Sequence, residues 1–586
     1  MPKQRQIRPP LISLRYFRER LAHLDALPQL ALLGLITGLM TGALMVLFLS
    51  CLNYLSQTLL GSDWEDYEHM PLAIRLCAPL IGCLLIFLLL TFVPKQWRAQ
   101  GIGHVIERFS FNQGRLPWQN GLHQFFSATI ALSCGLSAGR EGPAVHMGAC
   151  VSSWLGQKFR LPNNCLRILV GCGSAAAIGA SFNTPIAGVI FAMEVIMAEY
   201  TVVGFTPIIL ASVSGTALSQ WLLGQPILFH SAPDQLSSLI ELPWVAASGI
   251  LIGCVAALFL LLCRHFNRLQ RYPLWLRVLT IALLTAGAGF YLPVLMGTGY
   301  DLVNLSFAGE ISLTLLLVLA AGKLLLTGIT FGLGIPIGII GPMLVIGGLL
   351  GAATGHIGTF FGDQLVDEAT SPISVYAMIG MAAMMGASLQ APLAALMALL
   401  ELTNNPHIIM PGMLAVISAT LACRHWVPDN PAIFHHMLAM RGLDVSHPPL
   451  AQAMSRIGVT SVMEQDFLSS LNQVTIQEAC ALIERKPQWL LITDQSGDTK
   501  TLMPAAELAN HLYLLQQDDK PIPDTLLLSE IPAEDRLTVG PIDDHLTLTE
   551  AYIRIADIRE DALYIINEHQ QPIGILTNGM IERYYT

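Results

Sequence analysis

Charge is scarce in this sequence. Only 12% of the 586 residues are Asp, Glu, Lys or Arg, about half the roughly 25% of a soluble domain. With 53% of the residues hydrophobic, a water-soluble globule is not expected. Paired metal ligands are missing as well. The 11 cysteines stand singly, with no C-x-x-C, so neither a disulfide framework nor a zinc site is indicated. No H-E-x-x-H occurs to serve an intramembrane metalloprotease. No metal, no cofactor and no enzymatic activity are expected. A net charge of -10 and a pI near 5.9 leave no basic face for nucleic acid.

What is present is one long apolar body. Stretches 27–60, 71–94, 120–137, 205–223, 240–263, 274–296 and 311–330 follow one another, several longer than the ~20 residues that cross a bilayer. Helices are the expected spanning form, because backbone donors in lipid must be satisfied within their own segment. Shorter segments, 139–157 and 334–353, are interrupted by glycine and proline. Broken helices of this kind are tolerated at membrane depth where protein or a cavity covers the backbone. Gly34, Gly38 and Gly42 form a stripe suited to close helix contact. Residues 1–26 are basic and lack a signal-peptide core, so they read as a cytoplasmic segment. Residues 27–440 then form the membrane domain, and the charged, mixed chain at 441–586 a soluble tail.

The apolar body repeats itself. Gly173–Glu194 reads GSAAAIGASFNTPIAGVIFAME and Gly380–Glu401 reads GMAAMMGASLQAPLAALMALLE, each with a glutamate nine residues after its proline. Ahead of these, Gly139–Gly148 (GREGPAVHMG) and Gly338–Gly347 (GIIGPMLVIG) share G-x-x-G-P-x-x-x-x-G. Two halves, about 27–223 and 240–440, with matching broken helices point to a transporter whose site lies at the repeat interface. In each G-x-x-G-P segment the glycines permit a sharp turn and the proline suits a first helical turn. Each motif therefore marks a helix N-terminus, where unpaired amides and the positive dipole end attract an anion without fixed charge.

GREGP at Gly139–Pro143, GLGIPIGIIGP at Gly332–Pro342, the paired TPI and APL helices and the paired modules of the tail resemble the CLC chloride channels and proton-coupled chloride transporters. The resemblance implies an all-α polytopic membrane protein, an inverted-repeat helical bundle with broken helices, carrying a small α/β cytoplasmic CBS-pair domain. It also implies a homodimer in a cell (inner) membrane, both termini cytoplasmic, with a chloride pore in each subunit. By position, Glu141 matches the gating glutamate. Gln100, Gly101, Ile102, Arg140, Gly142, Ile339, Ile340 and Phe434 match the anion-binding segments, Ile339 and Ile340 through their backbone amides. A carboxylate can itself occupy an anion site, and protonation releases it.

Three positions depart from the family pattern. Gln100 stands where a central serine is usual, and Phe434 replaces a tyrosine and loses its hydroxyl. Val195 falls at the internal proton-transfer glutamate of the exchangers, and valine cannot relay a proton. Two mechanisms follow: a passive channel gated by Glu141, or Cl-/H+ exchange by another internal route, with Glu194 or Glu199 as candidate acids. Glu194 and its repeat mate Glu401 read preferentially as backbone-bonded structural acids. His104, His146, His435 and His436 read as packing or surface residues.

In the tail, about 456–515 and 530–586 resemble two CBS modules. The [ST]-x-x-D that holds phosphate and ribose in such modules appears as Pro504-Ala505-Ala506-Glu507 and Thr577-Asn578-Gly579-Met580. The first lacks the hydroxyl and the second the acid, which counts against an adenine nucleotide. A cation transporter with a regulatory tail would line its path with several carboxylates, and the motif regions offer glycine amides instead.

Overall fold

The computed structural model describes residues 27–61, 66–200, 202–224, 229, 234–365, 371–429, 431–443, 454, 457–494, 500–517, 524–533, 536–558, 560–567 and 569–583. The basic segment 1–26 lies outside them. The helices are α1 (Leu27–Leu55), α2 (Leu72–Phe92), α3 (Gly101–Phe111), α4 (Trp118–Ser133), α5 (Glu141–Lys158), α6 (Asn163–Phe182), α7 (Pro185–Phe191) and α8 (Val202–Leu223). The same order then recurs as α9 (Leu242–Asn267), α10 (Leu274–Tyr291), α11 (Tyr300–Phe307), α12 (Leu313–Gly332), α13 (Ile340–Leu365), α14 (Ile373–Leu389), α15 (Pro392–Thr403) and α16 (Ile409–Trp426), closed by α17 (Ile433–Ala439). Nine helices among the described residues are long and apolar enough to cross a membrane, and the protein is a multi-pass membrane protein.

The repeated glycines explain how the halves pack. In the first half, a Cβ on Gly148 of α5 would collide with the Gly173 carbonyl of α6, and one on Gly173 with the Gly148 carbonyl. Gly347 of α13 and Gly380 of α14 stand in the same reciprocal relation. The last glycine of one motif thus meets the first glycine of the next, in both halves. The Gly34, Gly38, Gly42 stripe lays α1 against Pro207, Ala211 and Gly215 of α8, and Gly249 and Gly253 lay α9 against Ala415 and Ala419 of α16. Such close approach lets backbones pack without a hydrophobic drive, which lipid does not supply. The breaks are narrower than 139–157 and 334–353 suggest: α5 and α13 run unbroken once past their turns.

By contacts the described chain divides into two compact units, one built on the membrane helices within 30–159 and 166–445, the other on the C-terminal tail. The tail is an α/β unit whose six-stranded sheet runs β1 (Phe467–Leu471), β3 (Trp489–Thr493), β4 (Lys500–Pro504), β6 (Leu537–Asp543), β7 (Ala562–Ile566), β8 (Pro572–Thr577). β1–β3 and β6–β7 are parallel, β3–β4 and β7–β8 antiparallel, so the pattern is made twice and joined at β4–β6. β2 (Gln473–Thr475) pairs with β5 (Thr525–Leu527). The helices α18 (Ile476–Glu484), α19 (Ala505–Gln517), α20 (Leu548–Ile558) and α21 (Asn578–Arg583) complete it. Thr475 and Glu478 form a capping box on α18, and these hydrogen bonds hold the exposed Glu478 carboxyl below its ordinary range.

Candidate anion-binding site

The two glycine-proline turns meet. The Gly139 N–H donates to the Gly338 carbonyl at 2.7 Å and the Gly338 N–H returns to the Gly139 carbonyl at 3.1 Å. No side chain fits between them: a Cβ on Gly338 would overlap Gly139, and one on Gly142 would lie 3.0 Å from the Gly338 Cα. Because α5 begins at Glu141 and α13 at Ile340, this pairing sets two positive dipole ends side by side from opposite halves of the repeat.

The Glu141 side chain lies in that junction, 3% exposed. Its Oε1 accepts the Tyr300 hydroxyl at 2.6 Å, and a Cβ on Gly341 would sit 2.9 Å from the same oxygen. Oε2 lies against Gly139 and has no hydrogen-bond partner among the described residues. A carboxylate thus rests beside two helix N-termini, where a small anion would be favoured. It is only half satisfied, so it is held without being locked. Arg140, 5% exposed, lays its guanidinium 4.5 Å over the Phe182 ring. Ile339 and Ile340 are buried at the start of α13.

A third N-terminus, that of α3, is tied to this junction by Gln124. Its Oε1 accepts the Gly101 N–H at 2.9 Å, and its Nε2 donates to the Pro336 carbonyl at 3.3 Å. Gly101 has a φ of +79°, which favours glycine at this turn. The Gln100 amide is engaged by His123 and by the Ser127 hydroxyl. The donors at Gln100 and Gly101 are therefore taken up by α4 side chains, while Ile102 behind them is buried. Phe434 is buried at the start of α17, which packs on α3.

Val195 lies, buried, in a π-turn spanning Ala192–Met197 that extends α7. Its neighbour Glu194 accepts the N–H groups of Leu393 and Ala394 at 3.3 and 2.7 Å, at the start of α15. Glu401 does the same for Ile186 and Ala187 of α7 at 2.9 and 2.7 Å. Each repeated glutamate caps the helix of the other half, in keeping with the structural reading. Glu199 pairs with Arg167 at 3.5 Å, both nearly buried.

Two features escaped the sequence. Tyr300 touches Glu141 across 159 positions of chain, and no local motif announces it. His104 and His146 are buried and bonded to each other at 2.8 Å, Nδ1 to Nε2. Arg108 Nε donates to His104 Nε2 at 3.2 Å, and since arginine only donates, neutral His104 carries its proton on Nδ1. A cavity of about 30 Å³ adjoins Glu141 and is lined by the apolar side chains of Phe182, Ala187, Phe191, Ile340 and Ala394 among others. Among the described residues no cluster of His, Cys, Asp or Glu could hold a metal ion.

Residues 81–424 match the family described as voltage gated chloride channel. The H(+)/Cl(-) exchange transporter ClcA of Vibrio cholerae is 29% identical over 412 residues, 66% of this chain and 85% of that protein. A slow cyanobacterial Cl-/H+ antiporter superposes with a TM-score of 0.60 at 24% identity, covering 70% of this chain and 97% of that one. A eukaryotic CLC transporter does so with a TM-score of 0.58 at 18% identity over 96% of this chain and 98% of its own, so the shared fold includes the tail. With more than half of its length matching that family, the chain belongs to the voltage-gated chloride channels and carries the CLC transporter fold.

Proposed function

We propose that the protein moves chloride across a membrane through a pore in each subunit, with Glu141 as its gate. The observation that carries this is the carboxylate of Glu141 lodged where the Gly139 and Gly338 turns pair. Ionised, it competes with chloride for that place. Protonated, it loses its charge and its attraction to the two helix ends, and leaves. Gln100, Gly101, Ile102, Arg140, Gly142, Ile339, Ile340 and Phe434 form the rest of the anion path. The Gln100 and Gly101 donors reach an anion once their bonds to α4 give way.

Coupling to protons is the second part of the reading. It is supported by the exchange activity named for the Vibrio relative. Since Val195 cannot relay a proton, the internal route passes it by. The protein acts as a homodimer in the cell (inner) membrane with both termini cytoplasmic, and exposed Ile186 and Leu393 at the capped helix ends are available to that contact. The tail is a cytoplasmic CBS-like pair whose role is structural rather than nucleotide-reading. The relatives named above are transporters, and no enzymatic step is assigned.

The test is chloride efflux from liposomes across a pH series. Glu141→Gln is expected to retain chloride efflux and lose its pH dependence. An unchanged pH response in that variant would remove Glu141 from the gating role.

A further inference from the structure

The repeat assigns a partner to the α3 N-terminus. In the order of elements, α11 is to the second half what α3 is to the first: each is a short helix entered through a left-handed glycine, Gly101 at +79° and Gly299 at +82°. The α3 entry reaches the junction through Gln124, and the α11 entry reaches it through Tyr300, whose hydroxyl donates to Glu141. Tyr300 is 2% exposed, its ring edge-on to Phe229 at 5.4 Å between centroids. The loop before it is pinned from α12: Lys323, fully buried, directs its ammonium to the Leu295 and Gly297 carbonyls at 3.1 and 2.7 Å. A charge buried this deeply in a membrane helix, held by main-chain carbonyls, fixes the loop firmly. The phenol is therefore delivered by a rigid mount.

We propose that Tyr300 is a positioning residue that latches Glu141 in its closed place and so sets the pH at which the gate opens. This rests on Glu141 being the gate. A phenolic O–H donated to a carboxyl oxygen is stronger when that carboxyl is ionised, so the bond holds the charged, closed form. Other charged or titratable groups around Glu141 are few. Arg140 precedes it in the chain with its guanidinium over the Phe182 ring; α13 brings the Gly341 main chain beside Oε1; and the lining of the cavity from α6, α7, α14 and α15 has no ionisable side chain. Lys323 lies behind the Tyr300 loop, and Asp301 is exposed.

The experiment compares chloride efflux against pH in liposomes holding the full chain, Tyr300→Phe, Glu141→Gln and the double variant. Tyr300→Phe keeps the ring against Phe229 and removes only the hydroxyl. Its half-maximal efflux is expected to move to higher pH by about one unit, the worth of a hydrogen bond to a charged group. The double variant should respond to pH no differently from Glu141→Gln alone. Tyr300→His, which restores a ring donor, should bring the midpoint part of the way back, a rescue that lost packing would not produce. A Tyr300→Phe midpoint equal to that of the parent, with Glu141→Gln insensitive to pH, overturns the latch and leaves the gate standing. A pH-dependent Glu141→Gln overturns the gate itself. Should Tyr300→Phe fail to elute as folded protein, Tyr300→Leu, which also lacks the hydroxyl, decides: an alkaline midpoint supports the latch and a parental one overturns it.

Discussion

Gly338 shows how much can depend on one missing side chain. Its amide and carbonyl both bond to Gly139, and its Cα lies where any Cβ would strike the Gly139 carbonyl and the Gly142 nitrogen. The obstructing atoms are main chain at a helix entry, so they cannot rotate away as a side chain would. Gly338→Ala is expected to cost at least the 1–3 kcal/mol typical of an overpacked core. It should appear as a reduced folded peak on size-exclusion chromatography and reduced chloride efflux per folded protein. Gly287, whose added Cβ would meet nothing within 4 Å, is the matching control, and Gly287→Ala should elute and transport as the parent does.

Among the elements, α7 and α15 are the pair most dependent on each other. Both begin with a proline, at Pro185 and Pro392, and both receive a carboxylate from across the repeat on their next amides. A negative group at a helix N-terminus satisfies orphan N–H groups and opposes the dipole. Glu194→Ala and Glu401→Ala should each lower stability by about 1–2 kcal/mol. Thermal unfolding in detergent should show similar drops for the two, because the geometry is made twice. A drop in only one would mean the caps are not equivalent. The sequence favours reading these glutamates as acids bonded to backbone at helix ends, yet which helix each one caps was not legible. The i to i+9 spacing describes one half, and the bonds run between halves.

Taken whole, the proposed gate at Glu141 is set in a chain that has valine, Val195, where the exchangers it resembles have an acid. If protons reach Glu141 past Val195, a pH gradient at equal chloride should drive chloride movement and shift the reversal potential. A passive channel would leave that potential at zero. We expect a shift, and dissipating the proton gradient should abolish it. The same shift lost in Glu141→Gln would place the proton and the anion at one residue.

Composition alone was enough to put this chain in a membrane, since residues that lipid must solvate leave no other solvent open to them. The matched motifs were enough to announce two halves and the helix entries at Glu141 and Ile340, because glycine and proline act through local dihedral limits that any fold must obey. Tertiary structure alone decided that the Gly139 and Gly338 turns bond to each other, that Gln124 and His123 occupy the donors of α3, and that Tyr300 lies on Glu141. Those are contacts between residues far apart in the chain. Their energies depend on how whole helices settle against one another, which no local spacing encodes.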